Sequence, residues 1–181
     1  MDVAEAEAVT VELRREQVNL CPLLEEVIDL YQYVAEEKKI TITTEFPEIC
    51  DAFVDPIRLR QVFANLLDNA IKYTAEGGSV QIKAVHEGPN IVVRIRDTGM
   101  GIAPEEQEKI WDRLYRGDKS RSQRGLGLGL SLVRAIIHAH QGRVAVESQP
   151  DQGSEFSLFI PVNPSSPAGQ LRTIAAAQLA K

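Results

Sequence analysis

Polar and acidic residues fill positions 1–19, and no clear amphipathic pattern begins until they end. This stretch reads as a linker or the tail of a preceding helix, because residues 2–16 offer only a thin apolar stripe. From Leu23 onward, Leu23, Leu24, Val27, Leu30, Tyr31 and Val34 recur at helical spacing, with Pro22 at a tolerated first-turn position. Residues 40–46 alternate Ile with Thr and read as a strand, and residues 50–54 as a second, shorter one. Asp55-Pro56 has the form of an N-cap followed by a first-turn proline, opening a helix to about Tyr73. Gly77-Gly78 then turns the chain into strands at 79–86 and 91–96, joined through Gly88-Pro89-Asn90.

After Asp97 the periodicity fails. A short helix is expected over 104–110, and the polar, basic stretch 112–124 reads as a mobile loop. A strong helix follows over 127–140, with Gly142 placed to end it in a left-handed cap. Strands at 143–147 and 154–160 are joined through Pro150, Asp151 and Gly153. These elements predict an α+β sandwich: one mixed, largely antiparallel sheet with a helical layer on one face. Strictly alternating strand–helix–strand units are absent, which argues against a doubly wound nucleotide fold. The expected organisation is a linker at 1–17, one domain at 18–162, and a loosely held Pro-, Ser- and Ala-rich tail at 163–181.

Composition narrows the function classes. The chain has 181 residues, enough for one domain with a real core, and 44% hydrophobic with 25% charged residues is ordinary globular usage. A net charge of −6 without a long Lys/Arg run disfavours a nucleic-acid partner. No apolar run reaches membrane-span length, so no membrane contact is expected of this segment. Cys21 and Cys50 lie far apart in sequence and read as neither a metal motif nor a redox pair, which suits a reduced, cytoplasmic setting. A larger parent can still be anchored in a membrane elsewhere.

Four places carry candidate chemistry. On the helix from Asp55, residues Asn65, Asn69 and Lys72 form a narrow polar stripe beside the apolar face of Val62, Phe63, Leu66, Ala70 and Ile71. Asparagine is a poor helix former, and its amide oxygen can ligate magnesium, while lysine reaches phosphate oxygens. A solvated helix face is the plain alternative. Asp97-Thr98-Gly99-Met100-Gly101 ends a strand: either a turn, or a carboxylate that accepts a donor such as the adenine amine. Gly125-Leu126-Gly127-Leu128-Gly129-Leu130 fits neither the Rossmann nor the P-loop pattern, yet alternating glycines at a helix N-terminus offer backbone N–H groups to an anion. They also make a hinge for the preceding loop. Gly153-Ser154-Glu155-Phe156 opens the last strand and by itself is a hairpin turn. His86, His138 and His140 are scattered, and His140 reads as a packed structural residue.

In this order these pieces resemble the ATP-binding catalytic domain of sensor histidine kinases. The run from Asn65 to Thr74 resembles their N box, Asp97 to Ile102 their first glycine box, and Ile110 to Arg116 their F box, with Trp111 and Leu114 where Phe is commoner. Gly125 to Leu130 resembles the second glycine box, and Gly153 to Phe156 the third, with Ser154 for Thr. The resemblance covers about residues 18–162 and implies the Bergerat fold, shared with gyrase-type, Hsp90-type and mismatch-repair ATPases. It implies ATP and Mg2+ as ligands. Asp97 would bind the adenine amine, with Gly99, Gly101 and Ile102 in its box, Gly101 beside the base, and Ser154 assisting Asp97 through a water. Asn69 would hold magnesium with Asn65 near it. Lys72 would contact phosphate and Tyr73 would lie along the nucleotide. Gly125, Leu126, Gly127, Leu128 and Gly129 would form the phosphate loop, with Gly127 and Gly129 offering backbone. Arg113 or Arg116 would reach the γ-phosphate, and 111–124 would be the ATP lid.

Family members that hydrolyse ATP carry Glu at the position of Asn65. An amide has no proton-accepting pKa near neutrality, so Asn65 weighs against water activation and suits a kinase that keeps ATP for a histidine. The family's acceptor run, His-Glu/Asp-x-Arg-x-Pro, does not occur in this sequence. The expected partners are therefore the kinase's own dimerisation and phosphoacceptor domain and a response regulator receiver domain. The chain reads as a fragment that cannot phosphorylate itself in the usual way. Two alternatives stay open: a nucleotide-binding interaction module without phosphotransfer, and a related ATPase or serine kinase.

Overall fold

The computed structural model describes residues 13–115 and 128–163. A short strand β1 (Glu16–Asn19) leads into helix α1 (Leu20–Glu37), then β2 (Thr41–Glu45), β3 (Asp51–Val54) and helix α2 (Pro56–Tyr73). The hairpin β4 (Ser79–Glu87) and β5 (Asn90–Asp97) follows. Two 3-10 turns, Pro104–Glu106 and Lys109–Trp111, stand where one short helix was expected. Helix α3 (Gly129–Ala139) and the strands β6 (Arg143–Ser148) and β7 (Ser154–Pro161) complete the described chain.

The main sheet runs β2-β4-β5-β7-β6. Only β2 and β4 pair in parallel, so the sheet is mixed and largely antiparallel, as the strand pattern predicts. All three helices pack over one face. Helix α2 sits between α1 and α3 and buries Leu59, Val62, Phe63, Leu66, Leu67, Ala70 and Ile71 against β4 and β5. Its start is fixed locally: Asp55 is extended, accepts a hydrogen bond from Arg58 N at 3.0 Å, and is followed by Pro56. On the face away from the helices the guanidinium of Arg143 stacks 3.3 Å from the centroid of Phe159, which lies opposite the fully buried Val92.

Three sequence readings need correction. The polar N-terminal stretch is structured from at least Arg14. Residues Glu16–Asn19 pair antiparallel with β3, Arg14 N donates to Asp55 Oδ2, and Arg15 Nη2 donates to Ala139 O. One half-buried apolar residue, Val18, and the Asn19 side chain suffice, because Asn19 Oδ1 accepts from both Cys21 N and Cys50 N at 3.1 Å. Cys21 and Cys50 are therefore neighbours in space though far apart in sequence, and both are free, buried thiols. Burial raises both, Cys50 to about 12, so they stay protonated and inert. The left-handed residue after α3 is Gln141 at φ 61°, not Gly142. Gly142 is glycine for another reason: a Cβ there would sit 2.3 Å from Phe159 O. The 112–124 loop lies outside the described residues from position 116 on. No described helix is long and apolar enough to cross a membrane.

His140 is a packed structural residue, as its sequence neighbours suggest. It is 1% exposed and ties α3 to α2. Asp55 N donates to Nε2 at 2.9 Å, which leaves Nδ1 to carry the proton and donate to Ile136 O at 2.8 Å. Burial, with Arg15 nearby, holds its pKa below the ordinary 6.5, while the Ile136 carbonyl and Asp55 pull the other way. Below that value an unfolded chain takes up a proton that the folded chain resists. Stability is thus full above pH 6.5 and is lost as pH falls toward the lowered folded value. We expect the thermal midpoint to decline on acidification below that point, and His140→Gln to flatten this part of the profile while lowering the midpoint throughout. Calorimetric melts across pH 5.5 to 8 check it, and an unchanged slope in the variant contradicts it.

Candidate functional site

The polar stripe of α2, the end of β5 and the start of α3 converge at one end of the sandwich. Asp97 is the last residue of β5 and 5% exposed. Burial pushes its carboxyl up, and two backbone N–H donors partly offset this. Gly99 N donates to Oδ1 at 2.8 Å and Ser154 N at 3.3 Å. Oδ2 takes no hydrogen bond among the described residues, yet it is not sealed from solvent. An acceptor oxygen is thus left pointing into reachable space at a buried carboxylate.

Three glycines let backbone crowd around that carboxylate. Gly153 (φ +85°) lies so close to the Asp97 carbonyl that a Cβ would be 1.9 Å from it. Gly99 packs against Tyr73 O, and Gly101 (φ +66°) against Gln149 O. The glycine loop is thus clamped between the end of α2 and the β6–β7 turn: Met100 N donates to Tyr73 O at 3.2 Å, and Asp151 N to Met100 O at 2.8 Å.

Ser154 reaches Asp97 directly as well. It supports Asp97 by its backbone N–H, while its hydroxyl faces Ser148 Oγ at 2.9 Å. Ser148 was missed in the sequence. It receives Ile102 N at 2.8 Å and donates to Gly153 O at 2.8 Å, so one hydroxyl joins the first and third glycine segments. Gln107, also missed, bonds both Ile102 O and Ser148 O. The available signal was the hairpin register, which sets Ser148 opposite Ser154.

On α2, Asn65, Asn69, Lys72 and Tyr73 are all half-buried. Asn65 Nδ2 donates to Gln61 O at 2.8 Å, which turns Oδ1 toward Gly129 in the first turn of α3. Asn69 keeps its amide without a hydrogen bond among the described residues, and Lys72 Nζ lies 5.0 Å from the Tyr73 ring centroid. Leu128 caps α3 without a side-chain bond, so its first N–H groups receive no side-chain cap. Trp111 is buried edge-on to Phe156, with centroids 5.9 Å apart, and anchors the segment carrying the exposed Arg113 to β7. Arg116, Gly125, Leu126 and Gly127 lie outside the described residues.

The family model for histidine kinase-, DNA gyrase B- and HSP90-like ATPases matches residues 54–164. The chain belongs to that ATPase family. The adaptive-response sensory kinase SasA of Synechocystis is 44% identical over 145 residues, covering 79% of this chain and 38% of SasA. The chain thus spans well under half of that relative. The catalytic domain of histidine kinase ThkA superposes with a TM-score of 0.75 at 30% identity, covering 83% of this chain and 97% of that domain. ThkA has also been solved with a response regulator, TrrA. Full-length ShkA with AMPPNP superposes at 0.77 and 30% identity, over 88% of this chain and 33% of ShkA. Sequence and structure together place this member of the ATPase family with histidine kinase catalytic domains, in the Bergerat fold.

The crowding around Asp97 yields a stability test. Gly88→Ala meets open space at φ +58° and should cost about 1–2 kcal/mol from backbone conformation alone. Gly153→Ala adds a collision with Asp97 O and should cost at least about 3 kcal/mol. Denaturant titration of both checks this; equal losses would mean that the turn does not press on Asp97.

Proposed function

We propose that this domain binds ATP with Mg2+ and transfers the γ-phosphoryl to a histidine on a separate dimerisation domain of the same kinase, for relay to a response regulator aspartate. The observation that carries the reading is Asp97, a buried carboxylate with one oxygen held by two backbone donors and the other left open. Adenine's exocyclic amine is a donor that suits that oxygen. Guanine presents a carbonyl at the same place and would set acceptor against acceptor.

The rest of the site supports the phosphate end. The first turn of α3, at Gly129, gives N–H groups and the positive end of the helix dipole, and in sequence it follows Gly125, Leu126, Gly127 and Leu128, which we propose as the phosphate loop. Asn69, whose amide has no hydrogen bond among the described residues, would ligate Mg2+ with Asn65 near it. When bound, Mg2+ neutralises charge building on the phosphate oxygens. In this reading Lys72 would meet phosphate and Tyr73 would lie along the nucleotide, while Gly99, Gly101 and Ile102 would line the base and Arg113 or Arg116 would meet the γ-phosphate. Asn65 is an amide where a hydrolase needs a base, so ATP is held for a better nucleophile than water. SasA and ThkA support a kinase setting, and the ThkA–TrrA complex supports a receiver domain as the downstream partner. We place the domain in the cytoplasmic part of a larger kinase.

Calorimetric titration with ATP and Mg2+ tests the binding step. Saturable binding is expected, weakened at least about tenfold in Asp97→Asn and for GTP. A folded chain that binds ATP and GTP equally would remove the role of Asp97. Adding a cognate phosphoacceptor hairpin in trans should give acid-labile phosphohistidine; its absence with ATP bound would sink the phosphotransfer step.

A further inference from the structure

The last turn of α2 carries Lys72 and Tyr73, and its end carbonyls need partners that the helix cannot supply. Thr74 N takes Ala70 O, and Met100 N takes Tyr73 O. The others converge on one side chain. Lys38 Nζ donates to Ile71 O at 2.7 Å, Lys72 O at 3.2 Å and Thr74 O at 2.9 Å. An ammonium has three protons, and here each meets a carbonyl at the negative end of a helix dipole. A guanidinium is flat and would not cap three diverging oxygens in the same way.

Lys38 is itself held in place. It caps α1, its N–H donating to Val34 O, and Gly77 N donates to its carbonyl. Lys39 follows at φ 55°, and Ile40 N returns to Ala35 O, which closes the end of α1. One side chain therefore ties the end of α2 to the end of α1.

We infer that Lys38 is a positioning residue for nucleotide binding: by capping the end of α2 it sets the placement of Lys72 and Tyr73. This rests on the nucleotide reading above. Lys38 acts through Lys72 at the phosphate end; at the other end it reaches the glycine loop only through the Tyr73 O–Met100 N bond, while the Asp97 carboxylate itself is held by the N–H groups of Gly99 and Ser154.

The test is a mutant cycle on the 181-residue chain, titrating ATP with Mg2+, and adenosine, against wild type, Lys38→Met, Lys72→Met and the double variant. Lys38→Met should weaken ATP about tenfold and adenosine less than about twofold. The double variant should bind ATP no more weakly than Lys72→Met alone, because residues acting through one contact are not additive. In the nucleotide-free protein, Lys38→Met should also shift the amide resonances of Tyr73 and Met100. Should Lys38→Met not fold, Lys38→Gln enters the same cycle with the same signs expected. Equal weakening of ATP and adenosine, additive losses in the double variant, or unmoved Tyr73 and Met100 amides would each overturn the inference. If wild type itself fails to bind ATP, the nucleotide reading falls, while the amide shifts still decide whether Lys38 places the turn.

Discussion

A carboxylate buried at the end of a central strand must find donors or give up its charge. Asp97 is in that position, and much of the local architecture answers it. Two backbone N–H groups reach Oδ1, one from its own turn and one from β7. For the second to arrive, the β6–β7 turn must press against the strand end, which only a residue without a side chain at position 153 permits. The turn is then tied back through Ser148 to Ile102. Remove the carboxylate and the reason for this crowding goes with it. Keep it, and one oxygen remains as an acceptor for something outside the described chain.

Helix α2 transmits this arrangement to the other end of the site. One face is apolar and packs on the sheet, and the adjacent stripe is polar and half-buried. The sheet-side packing fixes the helix's rotation, so the asparagines cannot turn to solvent without exposing Phe63 or Leu66. Helix α3 is held against α2 by His140 at one end and by the close approach of Gly129 to Asn65 at the other. The stripe therefore faces the start of α3 as a consequence of core packing, before any ligand is considered.

Much of this was legible in the sequence because it is periodic or punctuated. The alternation in β4, β5 and β7 and the Asp55-Pro56 start of α2 are local signals, and they give the sheet and the central helix closely. What was not legible depends on distant partners. β1 has too little apolar pattern to read as a strand and exists through pairing with β3. Cys21 and Cys50 meet only because Asn19 gathers both backbones. Gly142 looks like a helix cap, yet its constraint comes from Phe159 across the fold. In the site, Asp97 and the α2 stripe carry recognisable spacing. Gln107 and Lys38 carry none, since the bonds that tie them across the fold reach partners 41, 33, 34 and 36 residues away, and Ser148 shows only through the register of its hairpin.

The orientation of Asn65 bears on which chemistry suits the site. Its Nδ2 is committed to Gln61 O, so the group facing Gly129 is the amide oxygen. That oxygen can accept a hydrogen bond or approach a cation, but it cannot take a proton near neutral pH. The buried imidazole of His140, at the far end of α3, offers no substitute, since it uses one nitrogen to receive Asp55 N–H and the other to donate to Ile136 O. Water must lose a proton as it attacks phosphorus, and the Asn65 amide cannot receive it. A neutral imidazole already carries a lone pair and can attack before any proton leaves. If the proposed phosphotransfer holds, an amide at position 65 would disfavour transfer to water and leave transfer to a histidine imidazole open, a selectivity that would follow from protonation chemistry.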